Sequence, residues 1–402
     1  MAAARGDWDW AVTARSLYLV SMAIFLVTIS IGIPNGLDIV TFDRNQLLTH
    51  VHSGTIGWLT LSLVAATFVL FRRADPRLAT ALAVVVPLYI AAFYTGSFAL
   101  RALMGTILLV LVGWLVVWTW RAFLGGPRSL PRLGMTLALT TFTYGAVVGV
   151  LLQIQFFSGT AIVPGDGIGA HAGAMTFGYL VLAGMSIAEW RILGTTTMPR
   201  AGIVQLGALF VGGLVLSAAL LTGQAQAGGG IYLLTELVAV VLFLVRVMPK
   251  AVRTDWLRAT SQRHLGAAAL WIVGAMGVFM YLVSQFIANP NISPADPSVG
   301  GLLIASDHAV YIGVITNATF GVLTVVVATT VGALTIARQV AFWGMNLGLL
   351  VFVVGLVSNT IILKEIGAPT MGVCLLVGLA VFAYGLVRER GAVVPEVLAA
   401  PA

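Results

Sequence analysis

Charge is what this sequence has least of. Only 9% of its 402 residues are Asp, Glu, Lys or Arg, where a soluble domain carries about 25%. That excludes a soluble enzyme and a charge-rich disordered chain. Cysteine is nearly absent as well. The single Cys374 permits no intramolecular disulfide and no cysteine-based metal cage, which excludes a secreted disulfide scaffold. No small-residue cleavage site follows the first apolar run, 16–34, so a cleavable signal peptide is not expected. Acids are scarcer than bases, and the formal net charge is +7. In a soluble protein that balance would suggest a nucleic-acid partner. Hydrophobic residues make up 59% of the chain, and the mean hydropathy is +1.03. The composition is that of an all-α polytopic membrane protein in contact with lipid.

About 20 apolar residues cross a bilayer as a helix. The chain contains twelve such runs, near 16–34, 48–71, 78–98, 103–122, 133–157, 168–190, 202–222, 230–248, 265–288, 304–331, 339–362 and 369–388. If the N-terminus is cytoplasmic, 18 of the 21 basic residues fall on the inner side, among them Arg5 and Arg390. Only Arg44, Arg101 and Lys364 fall outside. A missed or spurious span would scramble that alternation. The positive-inside rule therefore predicts twelve spans with both termini cytoplasmic, in the plasma (inner) membrane. The positive charge is then an orientation signal, and nucleic acid is excluded as a partner. The longest connections, 249–264 and 288–303, leave no room for a soluble domain. Residues 1–402 are expected to form a single transmembrane domain.

The second span reads Thr49-His50-Val51-His52-Ser53-Gly54-Thr55-Ile56-Gly57-Trp58-Leu59. The sixth reads Ala170-His171-Ala172-Gly173-Ala174-Met175-Thr176-Phe177-Gly178-Tyr179-Leu180, and the tenth contains Gly313-Val314-Ile315-Thr316-Asn317-Ala318-Thr319-Phe320-Gly321. Anchored on Gly57, Gly178 and Gly321, each has a polar first turn, a bulky residue before the glycine and an apolar tail. Three pseudo-repeats of four helices follow, near 16–122, 133–248 and 265–388. Chance recurrence of small and apolar residues is the bland alternative.

Four of the five histidines stand at one expected depth on these equivalent spans: His50 and His52 on the second, His171 on the sixth, His308 on the tenth. His264, beside Arg263, reads as a surface residue. Ionisable residues inside a membrane are costly and mark functional sites by default, and imidazole is the side chain suited to iron and copper. A hydrogen-bonded packing role is the competing reading for each. Residues two apart on a helix point about 200° apart, so His50 and His52 face different surroundings. Ser53, Gly54, Gly173, Ala174 and Ala318 leave room for a flat, bulky group, or equally for close helix packing.

The stretch from His50 to Trp58 resembles the His-x-His-x-x-x-x-Gly-Trp motif of the haem–copper oxidase superfamily (cytochrome oxidase subunit I-like). It is closest to the cbb-type oxidases and their short divergent relatives. In those oxidases the motif lies on the tenth helix; here it lies on the second. The resemblance implies twelve helices in three four-helix arcs, with both termini inside. It also implies haem, b-type by this motif, held by histidines of the second, sixth, seventh and tenth helices. The departures are specific. The tenth span has Gly313-Val314-Ile315-Thr316 where that family has its histidines, the seventh has no histidine, and the sixth has no tyrosine neighbouring His171. A dioxygen-reducing haem–copper centre is therefore not expected, and copper is not favoured. The resemblance leaves one or two haems, with His52 or His50 on one axial side and His308 or His171 on the other. Arg44, Arg101 and Lys364 remain for the propionates, Lys364 in the loop before the twelfth span; each reads equally as a snorkelling interfacial residue.

Glu236 is the one acid well inside a span, a candidate for proton relay or for a structural hydrogen bond. Asp307 reads as an orienting partner of His308 or as a helix N-cap. Gln153, Gln155, Gln224, Gln226 and Asn317 are candidates for a polar outer vestibule, although paired glutamines on a helix and its neighbouring loop more often satisfy backbone groups than bind substrate. Three functions remain in view. The first is a haem protein that moves electrons or handles a small gas such as NO or O2, and twelve-helix nitric-oxide-response membrane proteins also carry His-x-His in a membrane helix. The second is a small-molecule transporter or permease. The third is a non-catalytic subunit of a respiratory complex. With no extramembrane domain to receive electrons, the first reading implies a partner redox subunit.

Overall fold

The computed structural model describes residues 9–289, 291–292, 296–327 and 334–388. Arg5, Arg390 and the end of the tenth expected span lie outside them. Every regular element among the described residues is helical, and twelve helices are long and apolar enough to cross a membrane. They are α1 (Trp10–Gly36), α2 (Arg44–Phe71), α3 (Pro76–Tyr94), α4 (Phe98–Leu124), α5 (Leu130–Ser158), α6 (Gly167–Leu193), α7 (Arg200–Leu221), α8 (Ala225–Arg246), α9 (Ser261–Ala288), α10 (Val299–Val326), α11 (Thr335–Val357) and α12 (Ile361–Arg388). The chain is a polytopic membrane protein.

Short polar connections start and stop these helices. Asp43 and Gln46 form a reciprocal capping box at the start of α2. Asp75 caps α3 with Pro76 in its first turn, and Asp166 accepts from Gly169 N at the start of α6. Each cap satisfies backbone N–H groups that have no partner inside the helix. Most boundaries lie a few residues from the sequence expectation, α1 beginning at Trp10 and not at 16, and α4 at Phe98 and not at 103. The twelfth helix begins at Ile361 and runs through Pro369, where a start at 369 was expected, and the tenth begins before residue 304. Pro34 and Pro369 join Pro87 as prolines inside helices.

Two compact units divide the chain. The first comprises residues 1–96, 253–268 and 311–402, the second 97–252 and 269–310. In the first unit, Trp58 of α2 is fully buried, stacks on Phe25 of α1 at 4.8 Å, and donates Nε1 to Thr316 Oγ1 of α10 at 2.9 Å. A Cβ on Gly348 would come within 2.6 Å of Met371 N, so α11 and α12 meet almost backbone to backbone. In the second unit, Phe177 of α6 stacks on Phe279 of α9, and Tyr232 of α8 meets Phe279 edge-on.

Burial separates the helices into two kinds. Within their most apolar windows, α2 and α10 are 89% buried and α6 is 72% buried, while no other helix exceeds 56%. The three helices that carry the four expected ligand histidines are therefore the interior ones. The other nine leave apolar surface for lipid.

Candidate functional site

The interior helices share a second peculiarity. Each widens into a π-helical segment within three residues of its last histidine: Ser53–Thr60 on α2, Ala174–Leu180 on α6 and Ala309–Thr316 on α10. Such segments are rare and concentrate at functional sites. Gly57, Gly178 and Gly313 each stand fifth in their segment. Thr60 and Thr316 close two of the segments in the same way, each hydroxyl donating to a carbonyl five residues earlier, Thr55 O at 2.8 Å and Tyr311 O at 2.9 Å.

The histidines fall into two local geometries. His50 of α2 has Nδ1 2.8 Å from Thr28 O of α1, and its ring lies against Gly32, one turn further along α1. His171 of α6 has Nδ1 2.8 Å from Gly145 O of α5, and its ring lies against Gly149, again one turn further along. A Cβ at Gly32 would sit 2.8 Å from His50 Cε1, and one at Gly149 2.7 Å from His171 Cε1. Only glycine leaves each ring its seat. His52 and His308 instead turn back on their own helices, with Nδ1 at 2.8 Å from Leu48 O and 2.9 Å from Ile304 O. The His52 ring stacks on Phe93 of α3 at 3.8 Å and meets Tyr89 edge-on at 5.8 Å. His50 and His52 thus diverge, one towards α1 and one towards α3.

In all four cases a carbonyl oxygen faces Nδ1. A carbonyl can only accept, so Nδ1 carries a proton, and in the neutral ring the lone pair resides on Nε2. Metal-ligating histidines are commonly fixed in this way, the second nitrogen donating to a carbonyl. For His308 the orienting group at Nδ1 is a backbone carbonyl, and the N-cap reading of Asp307 is overturned because it lies well inside α10. Ser53 and Gly54 pack on α1, with Ser53 Oγ 2.8 Å from Thr28 Oγ1. Among the described residues, no three His, Cys, Asp or Glu side chains gather closely enough to hold a bare metal ion.

The expected propionate partners are dispersed. Arg44 is exposed at the start of α2. Arg101, in the first turn of α4, is 1% exposed with its guanidinium 5.3 Å from the Phe98 ring centre, so it is not a snorkelling side chain. Lys364 lies in the first turn of α12, not in a loop, and its Nζ is 2.5 Å from Asp38 Oδ2. Glu236 is fully buried in α8. Its two carboxyl oxygens and the Tyr232 hydroxyl, one turn earlier, complete no hydrogen bond among the described residues.

Two groups, His264 and Asn317, read differently in three dimensions, while Gln155 takes the backbone-satisfying role. His264 is buried at 3% exposure, its Nδ1 is 3.3 Å from Asn317 Oδ1, and Phe320, Phe342 and Phe382 surround it edge-on. Asn317 belongs to that buried network, with Asn346 as a further partner, and not to a vestibule. Gln155 satisfies the backbone N–H groups of Ile162 and Val163. Glu236 also has a counterpart that sequence reasoning passed over. Glu189, at the end of α6, is fully buried and holds Arg246 of α8 through both oxygens, at 2.5 and 3.0 Å. Arg246 donates to Gln205 as well, and Thr195 donates to Glu189. An acid at the end of one span and an arginine at the end of another, both on the basic side, was the available signal.

No protein-family model matches the chain, and no curated protein is detectably similar to it.

Proposed function

We propose that this chain is a haem-binding integral membrane protein of the haem–copper oxidase type that moves electrons or handles a small gas such as NO or O2. The observation that carries the reading is the common state of four histidines on the three interior helices. Each has its proton held on Nδ1 by a carbonyl and its lone pair on Nε2, and each precedes or borders a π segment. A haem needs only one or two such nitrogens, so this donor chemistry fits b-type haem. It does not favour copper. When bound, haem supplies a one-electron iron couple and an iron that takes up diatomic gases.

The chain's own residues supply the rest. Iron ligands are drawn from His50, His52, His171 and His308, and the carbonyls of Thr28, Gly145, Leu48 and Ile304 hold their rings in the ligating tautomer. Arg44, Arg101 and Lys364 are the candidate cations for the propionates, Lys364 by exchange from Asp38. Glu236 serves as a proton-holding group. The charge asymmetry supports cytoplasmic termini in an inner membrane, and a partner redox subunit would exchange electrons with the haem.

The test is haem content by pyridine haemochrome in the four single variants His50→Ala, His52→Ala, His171→Ala and His308→Ala. Axial ligands lose the haem or convert its low-spin spectrum to high-spin. If all four variants keep wild-type haem and spectrum, the ligand assignment fails. One observation favours a second reading. The fully buried Glu236 carboxyl in mid-span, with the Tyr232 hydroxyl beside it and no cation paired to it among the described residues, also suits a proton-coupled transporter. A protein that takes up no haem but loses substrate uptake in Glu236→Gln would establish that reading.

A further inference from the structure

Arg263 and Arg338 open α9 and α11 in the first unit, and both are buried, at 0% and 9% exposure. The Arg263 guanidinium lies over the Phe342 ring at 4.4 Å. It donates through Nη1 to Gln339 Oε1 at 2.5 Å and through Nη2 to Arg338 O at 2.9 Å. Arg338 donates through Nη2 to the carbonyl of Ala259. Every one of these acceptors is neutral. The Nε of each arginine is buried and has no hydrogen-bond partner.

No carboxylate among the described residues pairs with either arginine. The nearest acid in sequence, Asp255, is exposed and pairs with Arg258 at 3.6 Å. Arg246 shows what compensation looks like in this protein, because it is likewise at a helix end but is clasped by Glu189. Two buried cations that feel each other's charge are costly without a counter-ion. Guanidinium groups match phosphate oxygens in geometry and charge.

We propose that Arg263, Arg338 and Gln339 form an anion site for a phosphate group, carried by an acidic phospholipid or present as the free ion. The charge asymmetry assigns this end of α9 and α11 to the leaflet rich in anionic lipid, where basic pockets between helices bind such headgroups. Leu257, 77% exposed, accepts from Gln339 Nε2 through its carbonyl. It sets an apolar side chain beside the site, which suits an amphiphile.

The test is native mass spectrometry and thermal unfolding of the full chain in detergent. The protein is offered phosphatidylglycerol, phosphatidylcholine or inorganic phosphate separately. Retention of phosphatidylglycerol but not of zwitterionic phosphatidylcholine identifies an acidic phospholipid as the carrier of the phosphate. A rise in melting temperature with inorganic phosphate alone identifies the free ion. Either result supports the site provided that Arg338→Gln weakens it by about tenfold or more, while Arg338→Lys retains part of it. Wild-type protein that prefers neither phosphatidylglycerol nor phosphate overturns the proposal without recourse to any variant. That result would assign the counter-charge to an acid whose side chain is not among those described, Asp7, Asp9, Glu389 or Glu396. Equal binding by folded Arg338→Gln would overturn it too.

Discussion

Replacing Gly149 by alanine tests the seat of His171 more sharply than removing the histidine. The new Cβ would lie 2.7 Å from Cε1 and 2.9 Å from Nδ1 of the ring. Carbon atoms settle at about 3.5–4.0 Å, so the ring must retreat by about 0.8 Å or more. Its Nδ1 is held 2.8 Å from Gly145 O on the same helix face. A retreat of that size therefore breaks the hydrogen bond as well as the packing. Overpacking costs about 1–3 kcal/mol and the lost hydrogen bond about 1 kcal/mol. Alanine recovers up to about 1 kcal/mol through its better helix propensity. The net expectation is a loss of about 1–3 kcal/mol. Gly207 of α7 is the internal control, since a Cβ there meets nothing within 4 Å. Gly207→Ala should be neutral or stabilising by up to about 1 kcal/mol. The assay is equilibrium unfolding in mixed micelles followed by circular dichroism. Gly32→Ala, which crowds His50 at 2.8 Å, should behave like Gly149→Ala. If Gly149→Ala and Gly32→Ala match Gly207→Ala in stability and haem content, the seated-ring account is refuted.

Other interactions give further expectations. Glu189→Gln leaves Arg246 buried without its counter-charge and should cost about 3–5 kcal/mol; Glu189→Met combined with Arg246→Met should recover much of it, read by the same unfolding assay. Trp58→Phe removes the donor to Thr316 but keeps an aromatic ring against Phe25. It should cost about 1–2 kcal/mol, non-additively with Thr316→Val. Lys364→Met breaks a pair whose acid, Asp38, is 57% exposed. Its stability cost should stay below about 1 kcal/mol, so a large loss of haem affinity in this variant would report on propionate binding and not on folding.

The number and placement of the membrane helices were legible because a bilayer imposes length and hydropathy on every span. Boundaries were less so. Pro369 reads as a helix start, yet α12 carries it a full two turns inside, since membrane helices tolerate proline where neighbours satisfy the freed carbonyl. The four histidines were visible as residue types at one depth. Their orientation was not, because the groups that hold Nδ1 are backbone carbonyls, which carry no side-chain signature. The π segments have no compositional mark either. His264 was misread for a related reason. Its neighbour Arg263 suggests surface, but the three phenylalanines that enclose it come from α10, α11 and α12. Glu189 and Arg246 lie 57 residues apart, so their pairing appears only in the folded chain.

The central claim is that the lone pairs on the interior histidines are there for iron. The most direct measurement is the reduced-minus-oxidised visible spectrum of haem-supplemented, detergent-purified protein, with iron counted per chain. The account predicts a sharp b-type spectrum and at least one haem iron per chain. A fully folded protein with no Soret band and no stoichiometric iron would contradict it.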